Sequence, residues 1–250
     1  MIRLSHFAYD QKQWSSLQEL PFQLPELQAH RGYWVEGALQ NSLESVVAAQ
    51  KVGHQMAEVD LRLTKDQKVI LFHDPIVYDN DLALDVNKLT LDEMRMLLPV
   101  PTLEEILEAT GPNFYLNLEI KNETRTQFAL EEKLIQILKS SPHKDRVLFS
   151  SFNPFSLGWM AQLLPQVPRG LLVTQDISAP FMLREMLFLG VAKPHFLHLR
   201  WEDLDHYRDI PRERKVIWTL NDADFAKTIK AGKRVASIIS DHIKSGTLNS

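Results

Sequence analysis

Short apolar runs alternate with helical patterns along most of the sequence, and this alternation constrains the fold more than any other feature. Strands that alternate with helices indicate an α/β protein with a parallel sheet. The helical patterns include TLEEILEA, QFALEEKLIQILKS, SLGWMAQLL, PFMLREMLFLG and DADFAKTIKAG, and Gly190 and Gly232 stand where two of them are expected to end. Strands are predicted near 27–30, 56–63, 68–73, 113–120, 146–150, 169–173, 195–199, 215–220 and 236–240.

The strand order favours a TIM-type (β/α)8 barrel in a single domain over an open doubly wound sheet, because no glycine-rich phosphate fingerprint recurs along the chain. The two predicted strands 56–63 and 68–73 are joined only by TKDQ. Such a connection is too short for a helical crossover, so one of the two is expected to extend as a hairpin beyond the barrel. We predict a lead-in segment over 1–26, which forms a helix over the barrel floor or a partner contact, and a barrel domain over 27–250.

Composition excludes several classes of site and partner. The net charge of −4 gives no basic surface for nucleic acid or for an acidic membrane. The absence of cysteine excludes disulfides, thiolate metal sites and a cysteine nucleophile. No segment has the apolar length of a signal peptide or a membrane span, so a cytoplasmic location is expected. The oligomeric state is left open.

The segment MAEVDLRLT, residues 56–64, places two acids on one face of a predicted strand. Successive side chains of a strand point to opposite faces, so Glu58 and Asp60 are neighbours, roughly 6 to 7 Å apart. Two like charges at that distance repel by about 2 to 3 kcal/mol at an effective dielectric near 20. A bound cation would remove that repulsion. The alternative is a half-exposed antiparallel strand with a solvated acidic face.

Chemically reactive residues recur at the ends of the first four predicted strands, and the active site of a barrel lies at the C-terminal ends of its strands. Three carboxylates that converge there suit Mg²⁺ or Ca²⁺ rather than zinc, with Mn²⁺ as a further candidate. Two histidines favour general acid and base catalysis, and two cationic side chains favour an anionic reacting group such as a phosphoryl ester. These residues are His30, Arg31, Glu58, Asp60, His73, Glu119 and Lys121.

The motifs around these residues resemble the glycerophosphodiester phosphodiesterase (GDPD) family. They are AHRG (29–32), QNSLES (40–45), EVDLRLTKD (58–66), VILFHDP (69–75), PTLEEIL (101–107) and LNLEIK (116–121), followed by SSFNPFSL, VIWTLND and IISD. The resemblance covers about residues 27–245. It implies a barrel that hydrolyses glycerophosphodiesters to glycerol 3-phosphate and an alcohol with a divalent cation.

The resemblance also implies a role for each matched position. It makes His30 and His73 the acid/base pair, and Arg31 and Lys121 the phosphate-binding cations. It makes Glu58, Asp60 and Glu119 the metal ligands. Trp218 matches an aromatic residue at the family's substrate mouth, or is a core tryptophan on a buried strand. Neither the roles of the two histidines nor the nucleophile, which is water or a hydroxyl of the substrate, follows from the sequence.

The sequence departs from the family pattern at a few positions. Gln40 stands where the family usually has glutamate, which predicts weaker or altered metal binding, and Leu39 replaces the preceding proline. Gln67 replaces a glycine common after Thr-Lys-Asp, which is expected to affect only the turn. The segment PIVYDNDLALDVNKLT after Asp74 differs from the family's usual insertion, which leaves the substrate's alcohol open.

Two alternatives follow. One is a lipid phosphodiesterase of the phospholipase C or sphingomyelinase D kind. The other is a barrel that binds phosphate esters without turnover, for which Gln40 is the only indication. Turnover of a soluble deacylated lipid would distinguish glycerophosphodiester hydrolysis from both alternatives.

Overall fold

The computed structural model describes residues 14–139 and 141–249 of the chain. Its strands are β1 (Leu27–His30), β2 (Met56–Leu63), β3 (Val69–Leu71), β4 (Ile76–Asp79), β5 (Leu82–Asp85), β6 (Tyr115–Ile120), β7 (Val147–Ser151), β8 (Arg169–Val173), β9 (Phe196–Arg200), β10 (Lys215–Trp218) and β11 (Ser237–Ser240). Its α-helices are α1 (Leu43–Lys51), α2 (Leu91–Leu97), α3 (Leu103–Ala109), α4 (Ala129–Lys139), α5 (Pro154–Leu163), α6 (Phe181–Arg184), α7 (Leu189–Ala192) and α8 (Ala223–Ala231). None of the helices in this part of the chain is long and apolar enough to cross a membrane.

Eight parallel strands close into a barrel, which confirms the predicted fold class. Within the described residues the order around the barrel is β1, β2, β6, β7, β8, β9, β10 and β11, and β11 pairs again with β1. The register sets His30 beside Glu58 and Asp60 beside Glu119. Residues 28 and 59 positions apart in the sequence therefore lie side by side in the barrel.

The expected hairpin beyond the barrel is present. β3 runs antiparallel to the last three residues of β2, through the pairs Leu61–Leu71, Arg62–Ile70 and Leu63–Val69. The turn between them holds Gln67 at a φ of 61°, a left-handed conformation that explains why glycine is common at this position in the family. That the substitution affects only the turn stays a prediction.

The segment after His73 folds into a second hairpin that the sequence analysis did not predict. β4 and β5 pair antiparallel, with Asn80 at a φ of 53° in the two-residue turn. The hairpin and α2 enclose a small core of their own, made of Ile70, Val77, Val86, Met94 and Val100. The segment that distinguishes this chain from the family is therefore an ordered unit beside the active-site face.

The helical pattern over 180–190 is not one helix, and this prediction was wrong. It forms two single-turn helices, α6 and α7, separated by Met186 at a φ of 51°. Gly190 lies inside α7, which ends at Ala192 and is capped by Lys193 in the left-handed region. Leu183 and Phe188 line the same cavity. Residues five apart on a straight helix point about 140° apart, so the break lets both face that cavity.

The barrel interior is layered. Its floor is apolar, with Phe22 from the lead-in packed against Met56, Leu148, Phe196 and Val216. A polar layer follows, in which Asn117 donates to Gln28 and accepts from Ser150. The acidic residues lie above it.

Residues 14–26 contain one 3₁₀ turn, Leu17–Glu19, where a helix over the floor was one of two expectations. Residues 1–13 lie outside the described residues. The domain boundary at residue 26 stays a prediction.

Candidate active site

The structure brings the eight predicted site residues together at the C-terminal mouth of the barrel. A cavity of about 130 Å³ is lined by His30, Arg31, Glu58, His73, Glu119, Lys121 and Trp218, among others. The remaining residue, Asp60, contacts both Arg31 and Lys121. The predicted set is thus one site, as the strand-end argument requires.

Three carboxylates form the centre of the site. Glu58, Asp60 and Glu119 are buried, and one oxygen from each lies within 4.8 Å of the others. They meet because the inward positions of β2 and β6 are in register. Both faces of β2 are buried, one inside the barrel and the other against helices, so the alternative of a half-exposed strand with a solvated acidic face is wrong.

Two cationic side chains contact the trio. Lys121 Nζ lies 3.0 Å from Asp60 Oδ1 and 2.6 Å from Glu119 Oε1, and Arg31 Nε lies 3.1 Å from Asp60 Oδ2. Asn41 donates to Asp60 Oδ2 at 2.8 Å. Although burial opposes it, Lys121 and Arg31 hold the pKa of Asp60 below its usual range.

The negative charge of Glu58 is compensated less fully than that of Asp60. Burial first, and the charge of Asp60 second, raise the pKa of its carboxyl to about 8. Its Oε2 accepts from the Arg31 backbone N–H at 3.2 Å, but its buried Oε1 has no hydrogen-bond partner within the described part of the chain. Burial also raises the pKa of Glu119. An unpaired buried carboxylate oxygen is costly unless a cation binds it, so these three residues fit a divalent metal ion.

The loop after β1 places Arg31. Arg31 adopts a φ of 54°, which turns its N–H toward Glu58, and Gly32 follows at 81°. A Cβ at Gly32 would overlap Ser45 at the start of α1. The glycine of the AHRG motif is therefore required by a close approach of two backbones as well as by its φ.

His30 is held by a carboxylate from the last barrel strand. Its Nδ1 lies 2.6 Å from Asp241 Oδ1, and its Nε2 lies 3.9 Å from Glu58 Oε2. Burial lowers the pKa of His30, but the Asp241 hydrogen bond and the charges of Glu58 and Asp241 outweigh burial and raise it. Asn221 fixes Asp241, because its Nδ2 donates to Asp241 Oδ2 at 2.7 Å and its Oδ1 accepts from the Asp241 backbone at 2.8 Å.

His73 has its own carboxylate. Its Nδ1 lies 2.7 Å from Asp74 Oδ1, and its carbonyl oxygen accepts from Arg62 Nε at 2.8 Å. Burial first, and Lys121 second, lower the pKa of His73. In both histidines Nδ1 is occupied by a carboxylate, which fixes the ring and leaves Nε2 for proton transfer.

The sequence analysis assigned no role to four residues that orient the histidines. They are Arg62, Asp74, Asn221 and Asp241. The signal was available for two of them. Asn221 and Asp241 each follow the end of a barrel strand, inside the motifs VIWTLND and IISD. Arg62 gave no such signal, since its partner, the His73 carbonyl, is reached only through the β2–β3 hairpin.

A family model described as the glycerophosphoryl diester phosphodiesterase family matches residues 30–245. The chain belongs to this family. A glycerophosphodiester phosphodiesterase of Caldanaerobacter subterraneus subsp. tengcongensis is 28% identical over 228 residues, which cover 85% of this chain and 92% of that relative.

Solved structures give the same result. A phosphodiesterase of Oleispira antarctica, in complex with the product sn-glycerol-3-phosphate, is 27% identical with a TM-score of 0.75, over 91% of this chain and 98% of that one. A glycerophosphodiester phosphodiesterase from Parabacteroides distasonis is 24% identical with a TM-score of 0.74, over 90% and 95% of the two chains, and supports the fold alone. This protein is therefore an enzyme of the phosphodiesterase class.

In this phosphodiesterase, Gln40 lies outside the acidic trio. It is exposed, and its Oε1 accepts from Arg31 at 2.8 Å. Any effect of Gln40 on metal binding would act through Arg31, and that effect stays a prediction. Trp218 is half-buried, lines the catalytic cavity and packs edge-on against Phe152 at 5.9 Å. Trp218 also packs against the buried apolar cluster of the barrel floor, so its role at the substrate mouth stays a prediction.

Proposed function

We propose that this enzyme hydrolyses glycerophosphodiesters to glycerol 3-phosphate and an alcohol in a reaction that depends on a divalent cation, Mg²⁺, Ca²⁺ or Mn²⁺. The observation that carries the proposal is the constellation of two carboxylate-held histidines around an acidic trio and two cations. The Oleispira relative that was solved with sn-glycerol-3-phosphate supports the product. A cytoplasmic location and the absence of a nucleic-acid partner stay predictions.

The charges of the site favour this assignment. When ionised, Glu58, Asp60 and Glu119 carry three negative charges, and Arg31 and Lys121 carry two positive ones. A divalent ion held by the three carboxylates would turn the net charge from minus one to plus one, which matches a phosphodiester monoanion. When bound, such an ion supplies Lewis acidity toward a phosphoryl oxygen.

The chain's own residues supply the rest. Arg31 and Lys121 bind the nonbridging phosphate oxygens, because their charge opposes that of the transferring group. Of His30 and His73, one removes a proton from the nucleophile and the other protonates the leaving alkoxide. Asp241 and Asp74 hold the two rings in position. If the nucleophile is a hydroxyl of the substrate, a cyclic phosphate forms before glycerol 3-phosphate, and ³¹P NMR of the reaction would detect it.

The test is release of glycerol 3-phosphate from glycerophosphocholine and glycerophosphoethanolamine by protein stripped with EDTA and resupplied with each cation. We expect release to vanish with EDTA and to return with at least one cation. The variants His30→Ala and His73→Ala should each lower kcat by about 10² to 10⁴. His206→Ala is the matched control, because His206 is exposed and has no contact with the site.

Two alternatives remain distinguishable by the same assay. Turnover only on lipid aggregates would support a phospholipase C or sphingomyelinase D-like activity. Binding of the diester without turnover under any cation would support the non-catalytic barrel, which family membership and the complete histidine pair disfavour. In that case Gln40→Glu would be the next variant to assay.

A further inference from the structure

We propose that the leaving alcohol of the natural diester carries a single hydrocarbon chain, and that this chain binds in a second cavity beside the catalytic one. This inference rests on the proposed function. The second cavity, here called the apolar chamber, has a volume of about 450 Å³. Its apolar walls are Phe152, Pro154, Phe155, Pro180, Leu183 and Phe188.

The apolar chamber and the catalytic cavity share a wall. His73, Glu119, Lys121 and Phe152 line both. A phosphodiester bound at these shared residues can therefore place one substituent in each cavity. The two cavities differ more than threefold in volume, so they suit substituents of different size.

The smaller cavity suits the glycerol end of the substrate. It contains His198, which is fully buried and whose two ring nitrogens have no hydrogen-bond partner among the residues that the structure describes. A neutral imidazole offers one donor and one acceptor, and a hydroxyl group can pair with either of them. Ser150 lines the same cavity. The glycerol hydroxyls thus have polar partners here, which leaves the apolar chamber for the alcohol.

The walls of the apolar chamber do not match a small primary ammonium such as ethanolamine. The quaternary ammonium of choline can contact the faces of the three phenylalanine rings, so choline is the competing alcohol that the glycerophosphocholine reference below tests. Both carboxylates that line it are already ion-paired, Glu123 with Arg62 at 3.0 Å and Glu119 with Lys121 at 2.6 Å. Arg125 adds a further positive charge. An ammonium group would find no free carboxylate, whereas a hydrocarbon chain would cover the aromatic walls.

The local fold supports the same conclusion. The break at Met186 turns both Leu183 and Phe188 toward the chamber, where the Phe188 ring packs against Phe155 with centroids 5.1 Å apart. The segment that supplies this wall also exposes Ile177 (84%), Phe181 (56%) and Leu187 (49%). A hydrocarbon chain longer than the apolar chamber would emerge beside this segment, whose exposed side chains are apolar.

The decisive experiment measures glycerol 3-phosphate release from a series of sn-glycero-3-phospho-n-alkanols, propanol to decanol, below their critical micelle concentrations, with glycerophosphocholine as the reference. We expect kcat/KM to rise by up to about fourfold per methylene group until the chamber is filled, and then to level off. A flat series, or a preference for glycerophosphocholine over every alkanol, would overturn the inference while leaving the proposed function intact. Release from no substrate would overturn both.

A second arm tests which end carries the chain. Monomeric short-chain lysophosphatidylcholine places the chain on the glycerol, and choline release reports its hydrolysis. We expect no gain in kcat/KM over glycerophosphocholine. Acceleration by a chain on the glycerol alone would place the chain at the wrong end and contradict the proposal.

Variants tie the effect to the apolar chamber. Phe188→Ser and Leu183→Ser should each lower the ratio of kcat/KM for the octanol diester to that for the propanol diester by about tenfold. Met96→Ser is the matched control, since Met96 is an exposed apolar residue on α2, away from both cavities, and the ratio should not change. Because each ratio is measured within one preparation, partial loss of folded protein does not affect it. Equal ratios in all three variants would argue against the chamber.

Discussion

The residue that holds His30 in place lies 211 positions away in the sequence, at the end of the last barrel strand. Asp241 contacts Nδ1 of the ring, and Asn221 binds both the carboxylate and the backbone of Asp241. This chain of contacts orients the imidazole from outside the catalytic cavity, since neither Asp241 nor Asn221 lines it. Asp241 is thus a positioning residue, and its contribution should appear only when His30 is present.

Asp241→Asn should lower kcat by about 10- to 100-fold with little change in KM. A histidine that loses the carboxylate on its other ring nitrogen typically loses activity to this extent. A double-mutant cycle checks the reason. In the His30→Ala background the same substitution should have almost no further effect on kcat. Asp209→Asn, at an exposed aspartate, serves as the control. Additive losses would show that Asp241 acts independently of His30.

The roles of the two histidines can be separated through the leaving group. A 4-nitrophenol leaving group departs without protonation, so it should restore activity to whichever variant lacks the general acid. We expect one of His30→Ala and His73→Ala, and only one, to recover at least about tenfold relative to its activity on an alkyl diester. Recovery in both or in neither would contradict a division into one acid and one base.

At the scale of elements, β8 and β9 fit together through close contact between a glycine and a histidine ring. Gly170 lies in β8, and the His198 ring from β9 fills the space where a side chain at 170 would lie. A Cβ at 170 would overlap that ring. The His198 ring, which lines the catalytic cavity, therefore has room only because position 170 of the neighbouring strand carries no side chain.

Gly170→Ala should lower the free energy of unfolding by about 1 to 3 kcal/mol, as overpacked interiors do. Combining it with His198→Ala removes the overlap, so the double variant should be more stable than the sum of the two single effects by about 1 kcal/mol or more. Urea unfolding followed by circular dichroism gives the three values. Simple additivity would mean that the backbone moves apart and the ring does not restrict position 170.

At the scale of the whole molecule, the barrel buries several histidines in the neutral form. Burial lowers the pKa of His54 to about 4 and that of His198 to about 3. Burial, with the charges of Arg169 and Arg214, lowers the pKa of His195 to about 3, and its Nδ1 accepts from the Arg169 backbone at 3.0 Å. In the unfolded chain each of these groups takes up a proton near pH 6.5.

The fold should therefore lose stability as the pH falls from 6.5 to 5. The unfolded state binds a proton at each of these histidines and the folded state does not, so each contributes about 1.4 kcal/mol per pH unit well below 6.5. When no cation is bound, Glu58 offsets the contribution of one histidine, because its raised pKa keeps its carboxyl protonated in the folded state. Other groups with shifted pKa values, such as His73 and Glu119, also contribute to the total slope. The test is therefore the difference in slope between variants, from urea midpoints measured between pH 7 and 5 with EDTA. His198→Leu should reduce the slope by about one proton, and the exposed His206→Leu should not change it.

Much of the fold and the predicted site follows from local patterns. The alternation of Glu58 and Asp60 with apolar residues identified β2, and strand-end chemistry identified the mouth of the barrel. The break at Met186 was missed because it depends on a cavity that no local periodicity encodes. The β4–β5 hairpin was missed because its Asn80-Asp81 turn is a weak signal without glycine. Asn221 and Asp241 lie in strand-end motifs, but their contact with His30 could not be predicted, since it arises only when β11 lies beside β1.

The pairing of β1 with β11 also has a consequence for biosynthesis. The ribosome makes His30 long before Asp241, so His30 lacks its carboxylate partner until the final strand has been translated and has docked against the first. Closing a loop of this length adds only modestly to the entropic cost, because that cost grows with the logarithm of length. Nascent chains that stop short of β11 should thus remain inactive, and the onset of turnover during synthesis would report the moment at which the barrel seam closes.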